Sequence, residues 1–125
     1  MHANKLLLVE DDPAQLETRR LLLERFGYEV VVASTTEEAL SAFHQHSPAS
    51  VLMDLRLPRA EDGRHLIRAI HKAARNARII VVSGFPQDLE RTPEFGLVSL
   101  LLRKPVRTQQ LLAMLGRGGE DVHRP

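Results

Sequence analysis

Val51-Leu52-Met53-Asp54-Leu55-Arg56-Leu57-Pro58 is the stretch whose reading decides the fold. Ser50 to Met53 are apolar or small and run into a single carboxylate, and Pro58 stops the element. An apolar run of this length, with Pro48 behind it, reads as a buried strand of a parallel sheet over 50–54. Asp54 then sits at the strand's C-terminal edge, where open α/β sheets bind their ligands. A carboxylate there is either a cap for the next segment or a reactive group.

Upstream, Leu6–Val9 form the apolar part of a strand over 5–9, which ends in Glu10-Asp11-Asp12 and Pro13. Asp followed by Pro is a helix start, with Asp12 as cap and Pro13 in the first turn. The helix runs to about 26, with Leu16, Arg19, Leu22, Leu23 and Phe26 spaced for one buried face and Gly27 as its stop. Glu29–Ala33 is β-branched and short, a second strand. Thr35 with Glu38 is a capping box that opens a helix presenting Ala39, Leu40 and Phe43 inward and ending before Pro48.

Downstream, Leu66, Ile67 and Ile70 predict a helix over about 62–75, and 78–82 reads as a strand ending at Ser83-Gly84. The segment 85–97 holds Pro86, Pro93 and Gly96, leaving room for at most one short helix near 87–91. A fifth strand is expected over 98–102, ending at Arg103-Lys104-Pro105. Thr108 is expected to cap a last helix carrying Leu111, Leu112 and Leu115. The glycine-containing tail, 117–125, has no periodicity and is expected to lack structure. A single domain over 4–116 follows. Strands alternating with helices predict an α/β, doubly wound parallel sheet with helices on both faces, although alternation alone does not fix the strand order.

The bulk properties exclude several classes. The chain has 125 residues, 17 basic and 16 acidic, for a formal net charge of +1. That balance carries no footprint for nucleic acid or an anionic membrane. Cysteine is absent, so disulfides, thiolate metal sites and cysteine nucleophiles are excluded. No apolar stretch reaches the roughly 18 residues of a membrane span, nor is there a signal-peptide core. A soluble, cytoplasmic domain is expected. The six histidines show no ligand spacing.

The strand ends share one rim of a parallel sheet. They bring together Glu10, Asp11 and Asp12, then Asp54, then Ser83, then Lys104. Clustered carboxylates raise one another's pKa unless a cation neutralises them. A hard divalent ion with oxygen ligands, Mg²⁺ above all, suits such a set.

These residues resemble the receiver domain of two-component response regulators. The resemblance rests on Glu10-Asp11 after the first strand, Asp54 with Leu57-Pro58 after the third, Ser83-Gly84 after the fourth and Lys104-Pro105 after the fifth. It implies a flavodoxin-like strand order 2-1-3-4-5. It also implies that Asp54 accepts a phosphoryl group from a phosphohistidine of a histidine kinase or histidine phosphotransfer protein. Asp11 and Asp54 would bind Mg²⁺ directly, with the backbone carbonyl of Arg56, and Glu10 largely through water. Ser83 and Lys104 would engage the phosphoryl oxygens, and the Lys104-Pro105 bond is often cis in the family. The only catalysis implied is of the domain's own phosphorylation and dephosphorylation.

The sequence departs from the family pattern at three places. Leu101 stands where the family often has an aromatic that changes rotamer on phosphorylation. The fourth helix is short and broken by prolines, so the surface it forms with the fifth strand and helix is expected to be altered and mobile. Pro58 to Gly63 is one residue longer than the commonest spacing. The short fourth helix resembles stand-alone receivers and those of hybrid kinases. With no DNA-binding or catalytic domain in these residues, output is expected through contact with a downstream protein, phosphate shuttling, or a larger chain. A pseudo-receiver that signals without phosphate is the alternative reading; the intact Glu10, Asp11, Asp54 and Lys104 set opposes it, while Leu101 and the weak fourth helix keep it open. An aspartyl-phosphate phosphatase of the haloacid-dehalogenase type would need a second acid where this chain has Arg56. Arg56 is expected to project near the phosphoryl site and to tune the phosphorylated lifetime.

Overall fold

Apolar runs on every strand require cover on both sides of the sheet, and the chain provides it. The computed structural model describes residues 2–116. Among these, β1 (His2–Val9), β2 (Glu29–Ala33), β3 (Pro48–Asp54), β4 (Arg78–Ser83) and β5 (Leu100–Arg103) form one parallel sheet in the order β2-β1-β3-β4-β5. The helices between them are α1 (Pro13–Arg25), α2 (Thr36–His46), α3 (Ala60–Ala73), α4 (Gln87–Glu90) and α5 (Thr108–Gly116). The α/β doubly wound, flavodoxin-like fold and its strand order are as expected. Residues 117–125, the expected tail, lie outside the described residues.

The period of two along each strand divides the core into two layers. Leu7, Val9, Val51, Met53, Ile79 and Val81 face a layer closed by Phe43 of α2 and Leu66, Ile67 and Ile70 of α3. Their neighbours Leu6, Leu8, Leu52, Ile80 and Val82 face the other, closed by Leu23 of α1 and Leu111 and Leu115 of α5. Register aligns the strand ends: Val9 pairs with Met53, Asp54 with Val82, and Ser83 with Arg103. The residues that follow these positions therefore emerge together on one rim.

Local chemistry sets the boundaries. Asp12 Oδ1 accepts hydrogen bonds from the Ala14 and Gln15 amides at 3.0 and 3.5 Å, the cap expected for α1. The helix ends in a Schellman turn, with Tyr28 N–H donating to the Leu23 carbonyl and Gly27 N–H to that of Glu24. Gly27 has φ +96°, which suits glycine. Phe26, placed on the buried face by spacing, is instead the C-cap and is 59% exposed, because the turn carries it off the stripe. Thr35 caps α2 as expected, but the Glu38 carboxylate reaches past it to the backbone N–H and hydroxyl of Ser34.

Other boundaries differ from expectation. Helix α3 begins at Ala60, since the Asp62 carboxylate accepts from the Arg59 N–H at 3.0 Å and so closes its first turn. Segment 85–97 holds α4 and also a 3-10 helix, Pro93–Leu97, where one short helix was expected. It is anchored by fully buried Leu89 and by Glu94, whose carboxylate pairs with Arg64 and Arg68 of α3. Strand β5 starts at Leu100, two residues late, because the Ser99 hydroxyl takes the Ile79 N–H in place of a ladder bond. Thr108 is the first residue of α5 and not its cap; the Arg107 carbonyl accepts from Leu111 N–H. No helix among the described residues is long and apolar enough to cross a membrane.

Candidate functional site

The rim at the C-terminal ends of β1, β3, β4 and β5 is where the chemistry gathers. Glu10 follows β1 and extends its ladder by one bond, its N–H donating to the Ala33 carbonyl at 3.1 Å. That bond draws the side chain inward, leaving the residue 1% exposed. Oε2 accepts from the Asp11 N–H at 3.0 Å, while Oε1 is buried without a hydrogen-bond partner. Burial, and next the adjacent Asp54 carboxylate, push the Glu10 carboxyl up to about 7, against the opposing pull of Lys104 and Arg19.

Asp54 is the last residue of β3 and is 8% exposed. Its Oδ2 accepts a charge-assisted hydrogen bond from Lys104 Nζ at 2.6 Å. Lys104 follows β5, and its N–H donates to the Ser83 carbonyl at 2.9 Å, which fixes the lysine beside the end of β4. The Lys104-Pro105 peptide is cis, as the resemblance implied, and so is Leu57-Pro58. Ser83 is buried, with Oγ accepting from the Phe85 N–H at 3.0 Å. Asp11 is exposed at the mouth. Asp12, the third acid of the run, is occupied as the α1 cap.

All six residues nominated from sequence, Glu10, Asp11, Asp54, Arg56, Ser83 and Lys104, line one open cleft of about 360 Å³. A carboxylate oxygen from each of Glu10, Asp11 and Asp54 can be chosen so that all lie within 4.8 Å of one another. Three acids at that spacing, one with an unpartnered buried oxygen, fit a hard divalent cation on the chemistry of the donor set. A carboxylate beside a lysine, in a cleft lined by further oxygens, can accept an electrophile while its charge is balanced from both sides.

Two neighbours of the site escaped the sequence reading. The Arg56 side chain reaches the cleft rim, where Nε donates to Asp88 Oδ2 at 2.9 Å and Nη2 lies 2.8 Å from the same oxygen in an ion pair. Its guanidinium carbon lies 3.9 Å from the centroid of the Phe85 ring. Asp88 is the second residue of α4, 32 positions from Arg56, and no local pattern announces a pairing over that separation.

The family model "Response regulator receiver domain" matches residues 6–116. Among curated proteins, the acid tolerance regulatory protein ActR of Rhizobium meliloti is 30% identical over 96% of this chain and 62% of its own length. The chain spans between 26% and 62% of the length of the first curated relatives it matches. Among solved structures, a response regulator receiver domain protein from Clostridium thermocellum superposes with a TM-score of 0.82 at 27% identity, covering 91% of this chain and 92% of that one. A response regulator from Burkholderia pseudomallei, described with a phosphorylated aspartic acid, a calcium ion and citrate, gives 0.79 at 26% identity over 90% of this chain and 66% of its own. With strand order, rim and family model in agreement over nearly its whole length, the chain belongs to the response regulator receiver domain family.

Proposed function

We propose that this receiver domain is a phosphoacceptor in two-component or phosphorelay signalling, with Asp54 as the accepting group. The observation that carries this is the Asp54 carboxylate held at 2.6 Å by Lys104, with Glu10 and Asp11 oxygens within 4.8 Å. An Asp54 oxygen attacks the phosphorus of a phosphohistidine on a kinase or phosphotransfer protein. The new P–O bond forms as the P–N bond breaks, and the leaving imidazole nitrogen keeps the electron pair and takes a proton. The task for the domain is positioning and charge neutralisation, since phosphoryl transfer spreads charge over equatorial oxygens. Lys104 lies against the Asp54 carboxylate, balancing its charge, and is placed to move onto a phosphoryl oxygen; the Ser83 hydroxyl can donate to another. Asp11, Asp54 and Glu10, with the Arg56 backbone carbonyl, are the groups that would hold Mg²⁺, which when bound neutralises the charge of the phosphoryl group. The phosphorylated aspartate and calcium ion described for the Burkholderia relative are consistent with such a site.

The output is a change in contacts with a downstream protein. A pseudo-receiver remains the second reading, favoured by Leu101 in place of an aromatic and by the four-residue α4. Arg56, two positions after Asp54, is engaged with Asp88, which leaves the phosphatase reading without its second acid. The test is intact mass after incubation with acetyl phosphate and Mg²⁺. One phosphoryl adduct, dependent on Mg²⁺ and lost in Asp54→Ala, is expected; no adduct from acetyl phosphate or a phosphohistidine donor, with no Mg²⁺ binding, would select the pseudo-receiver.

A further inference from the structure

We infer that the Arg56 side chain is a phosphoryl ligand held in reserve by Asp88 and Phe85, and that its transfer to a phosphoryl group on Asp54 releases α4. This rests on the phosphoacceptor reading above. Arg56 meets Asp88 through the single oxygen Oδ2, to which Nε donates at 2.9 Å and from which Nη2 lies 2.8 Å, so the fork is not spread over two acceptor oxygens. A guanidinium fork is best satisfied by two oxygens side by side, which a phosphoryl group presents and this contact does not. Phosphorylation would also replace the single negative charge of Asp54 by a group of about −2 with three strong acceptors. Asp88 then becomes the weaker of two anions lining or bordering one cleft.

The geometry favours a swap over a simple loss. Phe85 lies under the guanidinium at 3.9 Å and can keep contact with it while its edge turns from Asp88 towards Asp54. Both Arg56 and Phe85 line the Asp54 cleft, so the path is short. On the other side, α4 is only four residues long, Gln87–Glu90. Its other ties include Leu89 in the core, the Asp88 carbonyl accepting from Arg64 at 3.1 Å and the Leu89 carbonyl accepting from the Thr92 hydroxyl at 2.7 Å. Losing the Arg56 pair removes its direct link to the loop after β3. The swap supplies a route from Asp54 to α4 in a domain whose residue 101 is leucine.

The test follows amide resonances while beryllofluoride and Mg²⁺ are added to the full chain, beside Arg56→Ala, Asp88→Ala and the double variant. In wild type, amides at Ser83–Gly84 and at residues 87–92 are expected to shift together. Asp88→Ala frees Arg56 and should tighten beryllofluoride binding roughly two- to fivefold, the scale of one exposed ion pair. In the Arg56→Ala background the same Asp88 change should do nothing. A shift at Ser83–Gly84 with none at 87–92, or an Asp88→Ala effect that persists without Arg56, would overturn the inference and leave Asp54 as acceptor. Absence of any response near Asp54 in wild type would remove the phosphoacceptor reading, and this inference with it.

Discussion

Glu10 is where burial and charge are most opposed. The unfolded carboxyl titrates near 4.5 and the folded one near 7, so between these values the folded chain holds a proton that the unfolded chain has released. Stability from this group is complete below about pH 4.5 and is lost as pH rises through 7. At about 1.4 kcal/mol per pKa unit, the loss is bounded at about 3 kcal/mol. Glu10→Gln should therefore be more stable than wild type at pH 8 by roughly 1–2 kcal/mol, with no such gain at pH 4. Urea midpoints at the two pH values check this, and equal differences would show that Glu10 is not the source. A divalent cation competes with that proton. Lys104 competes with the cation too, its ammonium being 2.6 Å from an Asp54 oxygen. Two unit charges about 4 Å apart interact by at least ~1 kcal/mol even in water. Lys104→Ala is expected to tighten Mg²⁺ binding about fivefold or more while slowing adduct formation on Asp54; titration calorimetry gives the first and intact mass the second. Weaker Mg²⁺ binding in that variant would mean that Lys104 organises the acids and does not repel the ion.

At the scale of elements, Gly63 shows two rules in conflict. Alanine normally improves a helix interior by about 0.5–1 kcal/mol over glycine. Here a Cβ would lie 1.9 Å from the Leu55 carbonyl oxygen, a backbone atom that cannot turn aside. Overpacking costs about 1–3 kcal/mol or more, so the clash wins, and Gly63→Ala should lower the urea midpoint by a net ~2 kcal/mol equivalent; an unchanged midpoint would show that α3 can slide. The spacing of Pro58 and Gly63 flagged this loop in the sequence, but the close approach is a property of α3 crossing the end of β3. The buried strands and the caps at Asp12 and Thr35 were legible because hydrophobic period and capping are local signals. The 3-10 helix at Pro93–Leu97 was not, because it is held by tertiary ion pairs: Glu94 meets Arg68 at 3.3 Å and Arg64 at 3.8 Å. Phe26 was misplaced because the stripe of α1 was extended one residue into its capping turn. Glu94→Gln should cost about 1–2 kcal/mol, a modest loss because the Arg64 and Arg68 side chains are 26% and 51% exposed and can rehydrate.

For the whole molecule, the site is assembled from the ends of β1, β3, β4 and β5, while its carboxylates come from the centre of the sheet and its lysine from an edge. The acids could be placed on one rim from sequence because strand ends follow from apolar runs; the Arg56–Asp88 contact could not, since it joins segments that only the fold brings together. Strands β1, β3 and β4 each have neighbours on both sides, and Leu6–Val9, Val51–Met53 and Ile80–Val82 are fully buried. Strand β5 is paired on one side only and has Leu100 to Arg103 alone. Native-state hydrogen exchange should therefore report β1, β3 and β4 amides opening only with global unfolding, and β5 with α4 opening at lower free energy. A ligand that binds only the assembled rim stabilises it by RT ln(1 + [L]/Kd), about 2.7 kcal/mol at a hundredfold excess over Kd. Since Lys104 follows β5, Mg²⁺ with beryllofluoride should raise protection in β5 at least as much as in β1 and β3. Central strands gaining protection while β5 stays unchanged would mean that the anion is held by the acids and their cation alone, with Lys104 left outside the bound state.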